Sequence, residues 1–137
     1  VLGGLADSAV PSINFATGNP ALIPLLALGG GDAISVDWRV AIDEAWKTIG
    51  YDRAIQGNLD PASLLVDRET AVARAHEIVE RVGGRPGHIF NVGHGILPET
   101  DPDVIRAVVQ HVHSVDLAAL REGDRCSSEP TSGPNRP

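Results

Sequence analysis

Gly87-His88-Ile89-Phe90-Asn91-Val92-Gly93-His94-Gly95 reads as a strand that lands on a glycine-histidine-glycine turn. A helical pattern lies on each side of it. Upstream, Asp67 is a good N-cap for a helix to about Val82, with Val72, Ala75, Val79 and Val82 on one face. Gly83-Gly84 closes that helix as a C-cap pair would. Downstream, Asp101-Pro102-Asp103 supplies a cap, a proline at the first helical position and an acid near the positive end of the dipole. Val104, Ile105, Val108, Val109 and Val112 form the expected buried face of this last helix. A strand between two helices striped on one side is the repeating unit of a parallel sheet with right-handed crossovers.

The same alternation extends towards the amino terminus. Residues Val1 to Val10 read as a loop or frayed end. Pro11 to Thr17 alternates apolar and polar residues, with Ile13 and Phe15 on one side, and Gly18-Asn19-Pro20 ends it. A short helix fits within Ala21 to Leu28, where Pro24 falls in the first turn and a missing N–H costs little. Ala33 to Asp37 is a second strand, and Trp38 to Ile49 a helix with a stripe of Ile42, Trp46 and Ile49, closed by Gly50. Arg53 to Gln56 is a third strand that runs into the turn chemistry of Gly57-Asn58-Leu59-Asp60-Pro61. From about Arg121 the chain is Ser, Pro, Gly and charge without period, so residues 121–137 are expected to be a disordered tail behind one domain at 1–120.

The expected fold class is therefore α/β, with four parallel strands alternating with helices. An open sheet of four would leave unprotected edges, whereas a closed (β/α)8 TIM barrel takes ~250 residues. The chain has 137 residues and no methionine, even at position 1. The carboxyl-terminal half of such a barrel accounts for both observations.

Composition narrows the partners. Eighteen acids against 11 bases give a net charge of −7, which argues against nucleic acid or an anionic membrane as a partner. Hydrophobic residues at 42% exclude a wholly disordered chain, and Ala21 to Leu28 is too short to span a bilayer. No basic flank of a signal peptide stands at Val1, and the single cysteine, Cys126, favours a reducing, cytoplasmic setting.

His94 is the foremost candidate for chemistry. Following a strand directly, it sits at the carboxyl face of a parallel barrel, where it can donate a hydrogen bond, shuttle a proton or meet a carboxylate. Gly93 and Gly95 would allow close approach and unusual backbone angles. The alternative is a turn histidine bonded only to its own loop. Gln56, Asn58 and Asp60 fall at another strand end on the same face, although Asn and Asp are also ordinary turn formers. Asp37 is expected to cap the next helix, with Trp38 packed beneath the loop. His111 and His113, two apart on a helix, make a poor metal pair, and His76 and His88 have no acid or cysteine cluster at ligand spacing, so no metal site is expected. Gly29-Gly30-Gly31 precedes a strand rather than a helix and is no phosphate loop.

Ile55-Gln56-Gly57-Asn58-Leu59-Asp60-Pro61, the run from Gly87 to Pro98, and Val36-Asp37-Trp38 together resemble uroporphyrinogen decarboxylases, in the right order and over nearly all of residues 9–116. The resemblance implies a cytoplasmic carboxy-lyase of haem biosynthesis, usually a homodimer, built as one (β/α)8 barrel. Such enzymes convert uroporphyrinogen III to coproporphyrinogen III by removing the carboxyl group from its four acetate arms, without metal or organic cofactor. It also implies that His94 binds substrate with a supporting part in proton delivery, and that Gly93, Gly95, Gln56 and Asn58 lie close by. The family's arginine-bearing loop, central aspartate, tyrosine and serine or threonine belong to earlier segments. Tyr51, Asp37 and Asp60 are not those residues, so no catalytic residue is assigned in this chain and the isolated chain is expected to be inactive. Two other readings are a non-catalytic half-barrel that binds a porphyrinogen or a partner protein, and a relative of the corrinoid or methyl-carrier methyltransferases. The latter hold zinc through His and Cys at strand ends, where this chain has no cysteine.

Overall fold

All four expected strands form, and every pairing is parallel. The computed structural model describes residues 2–5 and 9–127. In it β1 (Ile13–Phe15), β2 (Ala33–Ser35), β3 (Ala54–Leu59) and β4 (His88–Val92) lie side by side in chain order. Phe15 stands opposite Ser35, Ser35 opposite Gln56, and Gln56 opposite Ile89. Neighbours in a parallel ladder share a face, so Ile13, Phe15, Ala33, Ser35, Gln56 and Ile89 line one side of the sheet. Asn14, Ile34, Ile55 and His88 line the other.

The crossover helices pack on that second side. They are α1 (Ile23–Leu28), α2 (Ile42–Ile49), α3 (Arg68–Val82) and α4 (Pro102–Ser114). Ile34, Val36 and Ile55 of the sheet side meet Ile23, Ile42, Ala45, Trp46, Ile49 and Val82 in one core. Leu59 and Leu64 meet Ala71, Ala75, Val104 and Val108 in a second, flanked by Phe90 and Val92. Each large side chain removed from water in this way contributes about 1.5–3 kcal/mol. Trp46 keeps its indole N–H satisfied by donating to the Arg53 carbonyl at 2.8 Å. On the first side the described residues leave Ile13, Phe15 and Ile89 48, 47 and 43% exposed, while Ala33 and Ser35 between them are buried.

The caps at Asp67 and Asp101 form as expected, accepting from the amides of Thr70 at 2.7 Å and Asp103 at 2.8 Å, and Gly83 closes α3 in the left-handed conformation. Other boundaries differ from expectation. Helix α2 starts at Ile42 rather than Trp38, because the Asn58 amide holds the carbonyls of Asp37 and Val40 and the Asp37 carboxylate holds the Arg39 N–H. Strand β3 continues through Gly57, Asn58 and Leu59, which pair with Phe90, Asn91 and Val92, and the turn begins only at Asp60. Val109 is 47% exposed, since Ala107 takes its place on the buried stripe of α4.

Both termini also depart from the sequence reading. The expected loop at the start holds a 3-10 turn at Leu2–Leu5. The expected tail begins as helix α5 (Leu117–Ser127), whose first turn is capped by Asp116 accepting from Ala118 and Ala119, and Arg121 donates to the Gly84 carbonyl. The rest of that tail, residues 128–137, lies outside the described residues. No described helix is long and apolar enough to cross a membrane.

Candidate functional site

The carboxyl ends of the strands form one rim, and His94 is exposed on it. Its imidazole stands 6.5 Å from the Phe15 ring and 6.1 Å from the Trp38 ring, edge-on to both. Phe15 ends β1 and His94 follows β4, the two outermost strands. Three strand spacings would separate those strands by ~14 Å in a flat sheet. Side chains leaning together can bridge much of that gap; the curl of the sheet towards its uncovered side shows in the backbone, where Gly93 after β4 packs against Trp38 after β2 although β3 lies between those strands.

Close packing of backbone makes that curl possible. A Cβ on Gly93 would lie 2.5 Å from the Trp38 nitrogen and 3.0 Å from the Asp37 carbonyl carbon, so only glycine fits there. The Gly93 N–H donates to Leu59 O at 2.7 Å. Gly95 is different: a Cβ there meets nothing within 4 Å. Neither glycine adopts a positive φ, so the expectation of unusual backbone angles is corrected, and close approach is the reason for Gly93 alone.

The turn at 37–40 is the fulcrum of the rim. Asp37, 5% exposed, accepts from the Gly18 N–H at 2.8 Å, the Arg39 N–H at 3.0 Å and the Arg39 guanidinium at 2.7 Å. Burial alone would raise its pKa; the Gly18 and Arg39 amides and the Arg39 charge outweigh that and hold it below the usual carboxylate value. The Arg39 guanidinium also lies 4.2 Å over the Trp38 ring. Asn58, equally buried, donates from Nδ2 to Asp37 O at 2.9 Å and Val40 O at 2.6 Å. The loop after β1, the end of β3 and the end of β4 thus all meet at Asp37–Trp38, and the Trp38 ring flanks His94.

These contacts revise several sequence expectations. Asp37 ties two strand-end loops together and does not cap α2, whose N-cap is Ala41. Trp38 flanks the imidazole instead of lying beneath a loop. Asn58 shares the rim but its amide nitrogen is committed to backbone, and Asp60 caps the 3-10 turn Pro61–Leu65 by accepting from Ala62 at 2.9 Å. Gln56 lies on the uncovered face, one layer below the rim. His88 belongs to the covered face, where burial pushes its pKa down against a hydrogen-bonding contact of Nε2 with Gly57 O at 3.0 Å. Phe15 and Trp38 were not legible as neighbours of His94, nor Arg39 as stacked on Trp38; their shared place just at or after strand ends is the signal that could have found them.

Chemically, an exposed imidazole between two aromatic edges can donate to a ligand oxygen or pass a proton. Arg39 adds a cation, balanced by Asp37. A cavity of about 460 Å³ is lined by Trp38 and Arg39 together with Arg74 and Arg81 of α3, and His94 is not part of its wall. Among the described residues no three His, Cys, Asp or Glu side chains converge on a point that could hold a metal ion.

Known proteins resolve what this rim belongs to. The uroporphyrinogen decarboxylase family model matches residues 3–115. A protein named uroporphyrinogen decarboxylase from Sorangium cellulosum is 49% identical over 126 residues, which are 91% of this chain and 36% of that protein. One from Carboxydothermus hydrogenoformans is 44% identical over 89% of this chain and 35% of its own length. One from Chloroflexus aurantiacus is 47% identical over 84% of this chain and 32% of its own. The chain spans about a third of the length of these relatives. The curled parallel sheet, the strand-end histidine and these matches agree, and the chain belongs to the uroporphyrinogen decarboxylase family.

Proposed function

We propose that this chain supplies the His94 wall of a (β/α)8 barrel that converts uroporphyrinogen III to coproporphyrinogen III. The observation that carries the reading is the exposed imidazole on the strand-end rim, held between Phe15 and Trp38. The bare face of Ile13, Phe15, Gln56 and Ile89 becomes the barrel interior once further strands of the same enzyme continue the curl. Those strands bring the carboxylate that holds the pyrrole N–H groups and the cations that meet the substrate's many carboxylates. The family acts as a cytoplasmic homodimer, and we extend that assembly and location to the enzyme of which this sequence is part.

The substrate's own ring provides the electron sink. Protonation of a pyrrole carbon gives a cationic ring; the bond to the acetate carboxyl breaks, its electron pair passes into the ring, and carbon dioxide leaves. A proton delivered to the exocyclic carbon then completes the methyl group, and the proton first added to the ring carbon leaves, which restores the pyrrole. No cofactor is needed for this balance. His94 binds a substrate carboxylate through its ring N–H and supports the proton supply, while Asp37 and Asn58 position the turn that carries Trp38. Gly93 lets the two strand ends meet.

A hydrogen bond to a charged group contributes about 1.5–3 kcal/mol. In the polypeptide that carries this chain with the rest of the barrel, His94→Ala should therefore lower kcat/KM by roughly 10- to 100-fold, with KM raised. The 137 residues alone should form no coproporphyrinogen above a no-enzyme control. Unchanged kinetics in the variant would remove His94 from the site, and turnover by the isolated chain would overturn the need for the remaining strands.

A further inference from the structure

We infer that His76 of α3 and His111 of α4 form a two-histidine site for a divalent transition-metal ion on the helical side of the molecule, remote from the His94 rim. The sequence offers His111 with His113, which point in different directions. Packing of α4 on α3 offers something else: His111 Nε2 lies 3.2 Å from His76 Nδ1, with the rings 5.1 Å apart and steeply inclined. Two imidazole nitrogens bound to one tetrahedral ion at 2.0–2.1 Å stand about 3.3–3.4 Å apart. The apo geometry is already within a few tenths of an ångström of that spacing.

The protonation pattern suits a ligand pair. Glu80 Oε1 lies 3.4 Å from His76 Nε2, on the far side of the ring from His111. In the tautomer protonated at Nε2, which faces that carboxylate, the Nδ1 lone pair faces His111, the arrangement by which an outer carboxylate orients a metal-bound imidazole. With that tautomer, His111 is the donor, from Nε2 to His76 Nδ1. Metal binding requires only that this proton exchange through water to Nδ1 of His111, so two neutral ligands converge without net loss of a proton. Both histidines stand on helices anchored in the same core by Ala71 and Ala75 of α3 and Val104 and Val108 of α4, which limits the entropy of bringing them together.

Solvent completes the coordination. His76 is 42% exposed, and a groove of about 410 Å³ lined by Glu69, Gln110, His111 and Ser114 opens beside His111. No third protein ligand converges among the described residues, so water fills the remaining positions. Imidazole nitrogen selects Zn2+, Ni2+ and Cu2+, with Cu2+ tightest, over Mg2+ and Ca2+.

Calorimetric titration of the protein with ZnCl2, NiCl2 and CuCl2, in a Cys126→Ser background to remove the thiol, tests this directly. One ion per chain is expected, with affinity at least tenfold weaker in His76→Ala and in His111→Ala, unchanged in His94→Ala and His113→Ala, and no binding of Mg2+. Glu80→Gln should weaken it by roughly tenfold through the outer-shell effect. Circular dichroism confirms that each variant keeps its helices, and Cu2+ electron paramagnetic resonance should show coupling to two nitrogens. Full affinity in both histidine variants, binding that follows His94 or His113, or no binding of any of the three ions overturns the site.

Discussion

Asp37 and His88 give the molecule two separate responses to acid. Burial works against the Asp37 anion, yet its three donors hold the pKa below the unfolded value of 3.8. A group of this kind stabilises the fold fully above that value, and the contribution is lost as pH falls below it, because the unfolded chain then binds the proton more readily. His88 shifts down for a different reason, burial of the ring among Gly57 and Phe90 outweighing its backbone contact. Its folded pKa lies below the unfolded 6.5, so stability declines as pH falls from about 6.5 towards the folded value. Thermal unfolding measured from pH 8 to pH 3 should therefore show a decline beginning near 6.5 and a second beginning near 3.8. His88→Gln, which retains a donor for Gly57 O, should flatten the first decline only. Asp37→Asn should cost about 2 kcal/mol at neutral pH and reduce the second. A first decline that survives in His88→Gln would assign it to another group.

At the level of elements, Gly93 and Gly95 look alike in the sequence and differ completely in the fold. Gly93→Ala drives a methyl group into the Asp37–Trp38 backbone, where no flexible side chain can yield, and should destabilise the protein by about 1–3 kcal/mol while disturbing Trp38. Gly95→Ala should be neutral. Denaturant unfolding of the two variants, with tryptophan fluorescence as the probe, checks the contrast; equal costs would refute the packing account. The same distinction explains what the sequence could and could not show. Local signals carried α3 and α4, since Asp67, Gly83, Asp101 and Pro102 act on amides within a few residues of themselves. They also placed His94 on the strand-end rim, because a single strand decides it. Local signals misplaced the start of α2 and the end of β3, where Asn58 reaches 18 to 21 residues back to bind Val40 and Asp37. Gly57-Asn58-Leu59 has turn composition, and pairing with Phe90, Asn91 and Val92 overrides it. Phe15 beside His94, and His76 beside His111, depend on curl and on helix packing that no short window encodes.

Across the whole molecule, one side of the sheet carries two cores and the other carries half-exposed Ile13, Phe15 and Ile89. Among the described residues, strands β1 and β4 each pair with one neighbouring strand only, so their outer edges are open to any chain that can lie alongside. Studied alone, the 137 residues should therefore self-associate, and two physical terms set how strongly. Apolar contact and edge pairing favour association, while a net charge of −7 opposes it over a screening length of ~10 Å at 0.1 M salt. Raising the salt should increase association, the reverse of what an interface built on opposite charges would do. Phe15→Lys places a cation on the edge strand at a position already half in water, so it should cost little folding stability and reduce association at every salt concentration. Sedimentation velocity across protein and salt concentration, with circular dichroism to confirm intact helices, measures both effects. A chain that stays monomeric at high salt and binds no apolar dye would show that the bare face needs no further strands to shield it, and the barrel-interior assignment of that face would fall with it.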